Sequence, residues 1–96
     1  MGDFQITCIN KRGGHWNPHE RIEYIGNQGG RWRLAEDDAI GRINRGEDSF
    51  YTLVNGRRAN VVVAVHNGRP YLKTTADGYS PDNLLSLPEC ENCRTV

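Results

Sequence analysis

The stretch Ala59-Asn60-Val61-Val62-Val63-Ala64-Val65 is apolar on both faces of an extended chain. Val61, Val63 and Val65 point one way, and Val62 and Ala64 the other. A strand with two apolar faces belongs inside a sheet rather than at its rim. Asn55-Gly56 precedes this run and Asn67-Gly68 follows it. Asn-Gly tolerates positive φ at both central positions of a tight hairpin, so each dipeptide predicts a two-residue reversal. Strands at Phe50–Val54 and Tyr71–Thr75 then flank the valines, and 50–75 is expected to be an antiparallel meander. Pro70 has no N–H to donate, which suits the start of an edge strand.

Upstream, Phe4 to Ile9 alternates, with Phe4, Ile6 and Cys8 on one face, and reads as one strand. Residues 10–19 read as a loop. Arg21–Ile25 alternates again as a second strand, and Arg31–Leu34 as a short third. The period then changes: Ala35, Ala39, Ile40 and Ile43 share one helical face. Glu36, Asp37 and Asp38 open this segment and Arg42 and Arg45 close it, each sign matching the helix dipole. A helix is expected at 36–45, stopped by Gly46, with Ile40 and Ile43 over the valines of 61–65. Near the end, Asp82 is placed to cap a short helical turn that docks Leu84, Leu85 and Leu87. The expected architecture is α+β: one mostly antiparallel sheet of about five strands, in the order β-β-α-β-β-β. One helix covers one face, and a helical turn lies near the C-terminus. Residues 1–88 form a single domain in this reading, and 89–96 a flexible tail.

Twelve basic and twelve acidic side chains cancel, which excludes a histone-like polycation and an acidic disordered activator. No apolar run reaches the ~18 residues of a membrane helix, and Met1-Gly2-Asp3-Phe4 does not open a signal peptide. A cytoplasmic protein is expected. Three cysteines cannot close completely into disulfides, which favours reduced thiols.

Ile6-Thr7-Cys8-Ile9-Asn10-Lys11, Ala39-Ile40, and the block from Tyr71-Leu72-Lys73-Thr74 through Asp77-Gly78 to Asp82-Asn83-Leu84-Leu85-Ser86-Leu87-Pro88 carry a resemblance. The chain resembles a small bacterial family known only as a domain of unknown function. The resemblance spans nearly the whole chain and implies one compact domain with no known enzymatic activity. Its members often lack the terminal cysteines, so it implies no role for Cys90 and Cys93.

Four sets of residues have chemistry to offer. Cys90 and Cys93 are spaced C-x₂-C, His15 and His19 H-x₃-H, and Cys8 lies just before the histidines. Thiolate and imidazole at such spacings suit tetrahedral zinc, and four of these five would make a structural site. The plain alternative is a core thiol, two loop histidines and two free thiols. The C-x₂-C as a redox pair is disfavoured by Glu89 and Glu91, whose charge opposes a thiolate. Arg57, Arg58, Arg69 and Lys73 lie in a segment without acids. With Tyr71 they are a candidate nucleic-acid surface, or simply a solvated hairpin. Tyr71, Lys73, Asp77, Asp82 and Asn83 are candidate partner-binding residues around an edge strand and the turn beyond it. Asp77 and Asp82 read as turn and cap residues rather than an acid/base pair. No phosphate loop or legible catalytic set is present.

The expectation is therefore a non-enzymatic protein-interaction domain. The alternatives are a nucleic-acid-binding module using the basic hairpin 57–73 and a zinc-stabilised scaffold.

Overall fold

In the computed structural model, which describes residues 2–12, 21–76 and 82–96, both Asn-Gly dipeptides reverse the chain. Asn55, Gly56, Asn67 and Gly68 all take positive φ, the turn that matches the twist of the flanking strands. They join three strands, β5 (Asp48–Val54), β6 (Arg57–His66) and β7 (Arg69–Thr74), into the antiparallel meander expected from the valine run. An earlier strand, β1 (Gly2–Gln5), adds in parallel to β5. The sheet is four-stranded in the order β1-β5-β6-β7, with β7 at one rim.

A second four-stranded sheet has the order β2-β3-β4-β8. It comprises β2 (Cys8–Lys11), β3 (Ile22–Asn27), β4 (Trp32–Ala35) and β8 (Arg94–Thr95). Between β4 and β5 runs α1 (Glu36–Asn44), entered from Ala35 without a side-chain cap. The short α2 (Asp82–Leu85) follows β7.

The expected single α+β sheet with a helix on one face is thus overturned. The protein is mostly β, with two sheets and two short helices. The difference begins at Phe4–Ile9, which was expected to be one strand. Ile6 N–H donates to Tyr51 O of the first sheet at 2.7 Å, and the next amide, Thr7 N–H, donates to Gly26 O of the second at 2.9 Å. The chain changes sheets between these two residues. The side-chain alternation runs on unbroken, so period 2 alone cannot reveal the change of partner.

Ile6, Ile9, Ile22, Ile25 and Leu34 pack with Phe50, Val61 and Leu72 of the other sheet, joined by Ile40 and Leu84. As expected, Leu85 and Leu87 lean on this core, and Ile43 and Val63 flank it. The helix α1 does not cover one sheet. It packs against β3 and β4 on one side and β5, β6 and β7 on the other. Its first residue, Glu36, is therefore buried, although its place in a helical first turn suggested only a dipole match. No helix among the described residues is long and apolar enough to cross a membrane.

Residues 89–96, expected to be a tail, lie along the second sheet. Ile9 N–H donates to Pro88 O, and Cys90 N–H donates back to Ile9 O. Farther on, Arg94 N–H and Val96 N–H donate to Arg31 O and Arg33 O, which makes β8 parallel to β4. The segment thus meets β2 first and β4 last, and crosses β3 between them.

Candidate functional site

That crossing brings all three cysteines together. Cys8 and Cys90 form a disulfide, S–S 2.02 Å, and the Sγ atoms of Cys8, Cys90 and Cys93 lie within 4.8 Å of one another. The expectation of reduced thiols fails here for a simple reason. An odd cysteine count leaves one thiol over but does not forbid a pair, and sequence separation says little about spatial distance.

The site is built by residues the sequence reading passed over. At Gly26 a Cβ would collide with the Trp32 carbonyl and come within 3.0 Å of Cys90 Sγ. The glycine is the gap through which the disulfide passes over β3. A glycine inside the alternating run Tyr24-Ile25-Gly26 was the available signal, because it marks close backbone approach. The Gln28 side chain grips the crossing segment in both directions. Its Nε2 donates to Glu91 O at 2.7 Å, and its Oε1 accepts from Glu91 N–H at 2.8 Å. Asn10 Nδ2 donates to Cys90 O at 3.3 Å, and Arg33 Nε donates to Thr95 Oγ1 at 2.7 Å. Asn92 takes φ 54, a left-handed bend that asparagine tolerates, on the way to Cys93. The Cys93 thiol faces Glu91 O at 3.5 Å and Gln28 Oε1 at 3.7 Å. Cys8 and Cys90 are buried, while Cys93 is half-exposed.

Of the five expected metal ligands, the structure gathers Cys8, Cys90 and Cys93. His15 and His19 lie outside the described residues. The disulfide uses two of the three sulfurs, so the site as it stands offers one thiol to a metal.

The candidate nucleic-acid residues are not brought to one surface. Arg58 and Arg69 lie at opposite ends of the β6–β7 hairpin, roughly 25 Å apart at the rise of a strand. Arg58 pairs with Asp3 at 2.8 Å and stacks on Tyr51, 4.0 Å from its ring centre. Arg69 lies 3.7 Å from Glu36. Tyr71 is 4% exposed and offers no stacking face to a base. Lys73 is half-buried and Arg57 is exposed.

Among the candidate partner-binding residues, Tyr71 is in the core and Asp77 lies outside the described residues. Asp82 begins α2, and Asn83, exposed, donates Nδ2 to Thr74 Oγ1 at 3.1 Å. The β7 rim itself is partly occupied. Pro70 has no N–H, and the Leu72 amide faces the Glu36 carboxyl.

Asn83 also lines an open groove of about 710 Å³ between α2 and the β5–β6 hairpin. Val54, Arg57, Arg58 and Thr52 form the hairpin wall, and Asn83 and Ser86 the other. Val54 is 50% exposed. Arg57 makes no ion pair among the described residues, in contrast to Arg58.

Glu36 is the most perturbed group among the described residues. Burial pushes its carboxyl up to about 7, against the opposing pull of Arg12 and Arg69. Both guanidinium groups face Oε1, at 4.0 and 3.7 Å. The Leu72 amide points at the carboxyl without closing a hydrogen bond, and neither oxygen has a hydrogen-bond partner among the described residues. The group was invisible as a core residue in the sequence, since acids in a first helical turn are ordinarily solvated.

No curated protein matches this chain, and no solved structure does. A family described as a protein of unknown function (DUF3892) matches residues 5–88, from the end of β1 to Pro88 just beyond α2, and the chain belongs to that family.

Proposed function

We propose that this domain binds another protein through the groove between the β5–β6 hairpin and α2. The observation that carries the reading is the pairing of an exposed apolar side chain, Val54, with a guanidinium, Arg57, that makes no ion pair among the described residues, on one wall of an open groove. Apolar contact supplies area, and arginine adds bidentate recognition of a carboxylate. The fitting partner is a short protein segment that presents an apolar side chain beside an Asp or Glu. The domain acts by binding in this reading, and not as an enzyme. Arg57→Glu and Val54→Asp change exposed positions and leave the fold intact. Capture from the native cell lysate should retain a partner on the wild type and on Val65→Asp, which is exposed away from the groove. Both groove variants should lose it. A captured set that is empty, or the same for all four proteins, overturns the reading.

The metal-scaffold reading rests on the proximity of the three sulfurs. In the reduced chain, three thiolates from Cys8, Cys90 and Cys93 would suit a thiophilic ion such as zinc. Reduced protein should then take up one zinc ion per chain and melt at a higher temperature with it. Equal melting with and without zinc removes this reading.

A further inference from the structure

We infer that Cys93 is a nucleophilic thiol that transfers the buried Cys8–Cys90 disulfide to the protein surface, opening it to a dithiol reductant. Three observations lead there. The first is access. Cys8 is 0% and Cys90 9% exposed. Burial of both residues restricts the approach of a thiolate from solvent to either sulfur, which displacement requires. Cys93 is half-exposed and carries a free thiol.

The second is proximity. The Cys93 sulfur is within 4.8 Å of both bonded sulfurs. The third is restraint. Gln28 clamps Glu91 on one side of Cys93, and the Arg94 N–H bond to Arg31 O holds the other. These bonds fix the segment that carries the thiol beside the disulfide, so the attack is intramolecular with a high effective concentration.

The exchange balances without an external oxidant or reductant. Cys93 gives up its proton to solvent, and the thiolate attacks Cys90 Sγ. A Cys90–Cys93 bond forms as the Cys8–Cys90 bond breaks, and Cys8 leaves as a thiolate that takes up a proton. Cys90 is the sulfur attacked because the two-residue spacer, bent at Asn92, lets Cys90 and Cys93 close a local ring. A thiolate of the dithiol then attacks the half-exposed Cys93 sulfur: a mixed disulfide to Cys93 forms as the Cys90–Cys93 bond breaks, and Cys90 leaves as a thiolate that takes up a proton. The second thiol of the dithiol displaces Cys93 and closes the reductant's own disulfide. The protein gains two thiols and the reductant loses two.

The test is the rate at which dithiothreitol reduces the oxidised, folded protein, followed by acid quench, alkylation and mass spectrometry. Cys93→Ser should slow loss of the Cys8–Cys90 bond at least tenfold, and quenched wild-type samples should contain Cys90–Cys93-linked peptide. Wild-type protein alkylated at Cys93 while folded should behave as the serine variant does, which covers a variant that folds poorly. Reduction rates within twofold of one another for wild-type and blocked protein overturn the inference. So does the absence of any Cys90–Cys93 species throughout the reaction.

Discussion

Burial keeps a proton on the Glu36 carboxyl up to about pH 7, whereas in the unfolded chain it is released near the ordinary glutamate value of 4.5. Between these values the folded state binds a proton that the unfolded state has lost. The contribution of Glu36 is therefore fully favourable below about pH 4.5 and falls away as pH rises to about 7. The loss amounts to about 3 kcal/mol at most. Glu36→Gln keeps the shape and removes the titration. Its stability should be flat across this window and higher than that of the wild type at pH 8, as measured by urea unfolding at several pH values. A wild-type slope that survives in the glutamine variant would remove Glu36 as its source. Asp3 and Glu47 act in the opposite sense. Hydrogen bonds from Arg58 and Arg45 hold their carboxyls below the usual range, so what they add disappears as pH falls into that acidic region. Gly26 is the other residue on which much depends. Gly26→Ala places a methyl group against the Trp32 carbonyl and Cys90 Sγ, and should destabilise the oxidised protein by about 2 kcal/mol, the scale of overpacking in a filled core. Thermal unfolding would show this, and an unchanged melting temperature would mean that the crossing segment can lift away.

At the scale of elements, the meander was legible because Asn-Gly is a turn with its own stereochemistry, and a run of valines apolar on both faces has one place in a sheet. The helix was legible from Ala39, Ile40 and Ile43, and the leucines of 84–87 from their density. What stayed hidden were relations between distant segments. Nothing local in Ile6-Thr7 marks a change of sheet: there is no Gly, no Pro and no break in alternation. The pairing of Arg94–Thr95 with β4 was equally unreadable, since two polar residues carry no strand pattern. In the site, the cysteines were grouped with His15 and His19 as metal ligands and the structure brings the three cysteines close, but the bond between Cys8 and Cys90 depends on a chain crossing that only Gly26 hinted at. The C-terminal segment should be a separable element. Gln28→Ala removes both bonds to Glu91, and hydrogen exchange should rise at Glu91 and Arg94 while β6 stays protected. Exchange that rises equally in β6 would show that the segment is not a local unit.

For the whole molecule, the Cys8–Cys90 bond joins residues 82 apart and so ties nearly the full length of the chain into one loop. Closing a loop of that size restricts the unfolded ensemble and stabilises the fold by about 4 kcal/mol in the chain-entropy account. The double variant Cys8→Ser/Cys90→Ser should lose about that much against the oxidised wild type, and reduction of the wild type should cause a similar loss. A loss below about 1 kcal/mol would place the stability in the core alone.

The junction at Ile6-Thr7 has a mechanical consequence. Two neighbouring peptide groups are anchored in different sheets, so this short span works as a shared rivet. If either layer peels, it drags the other's hydrogen-bond ladder out of register. The two layers are thus obliged to fail together, and a force applied at the first strand would meet both at once rather than unzip one and then the other.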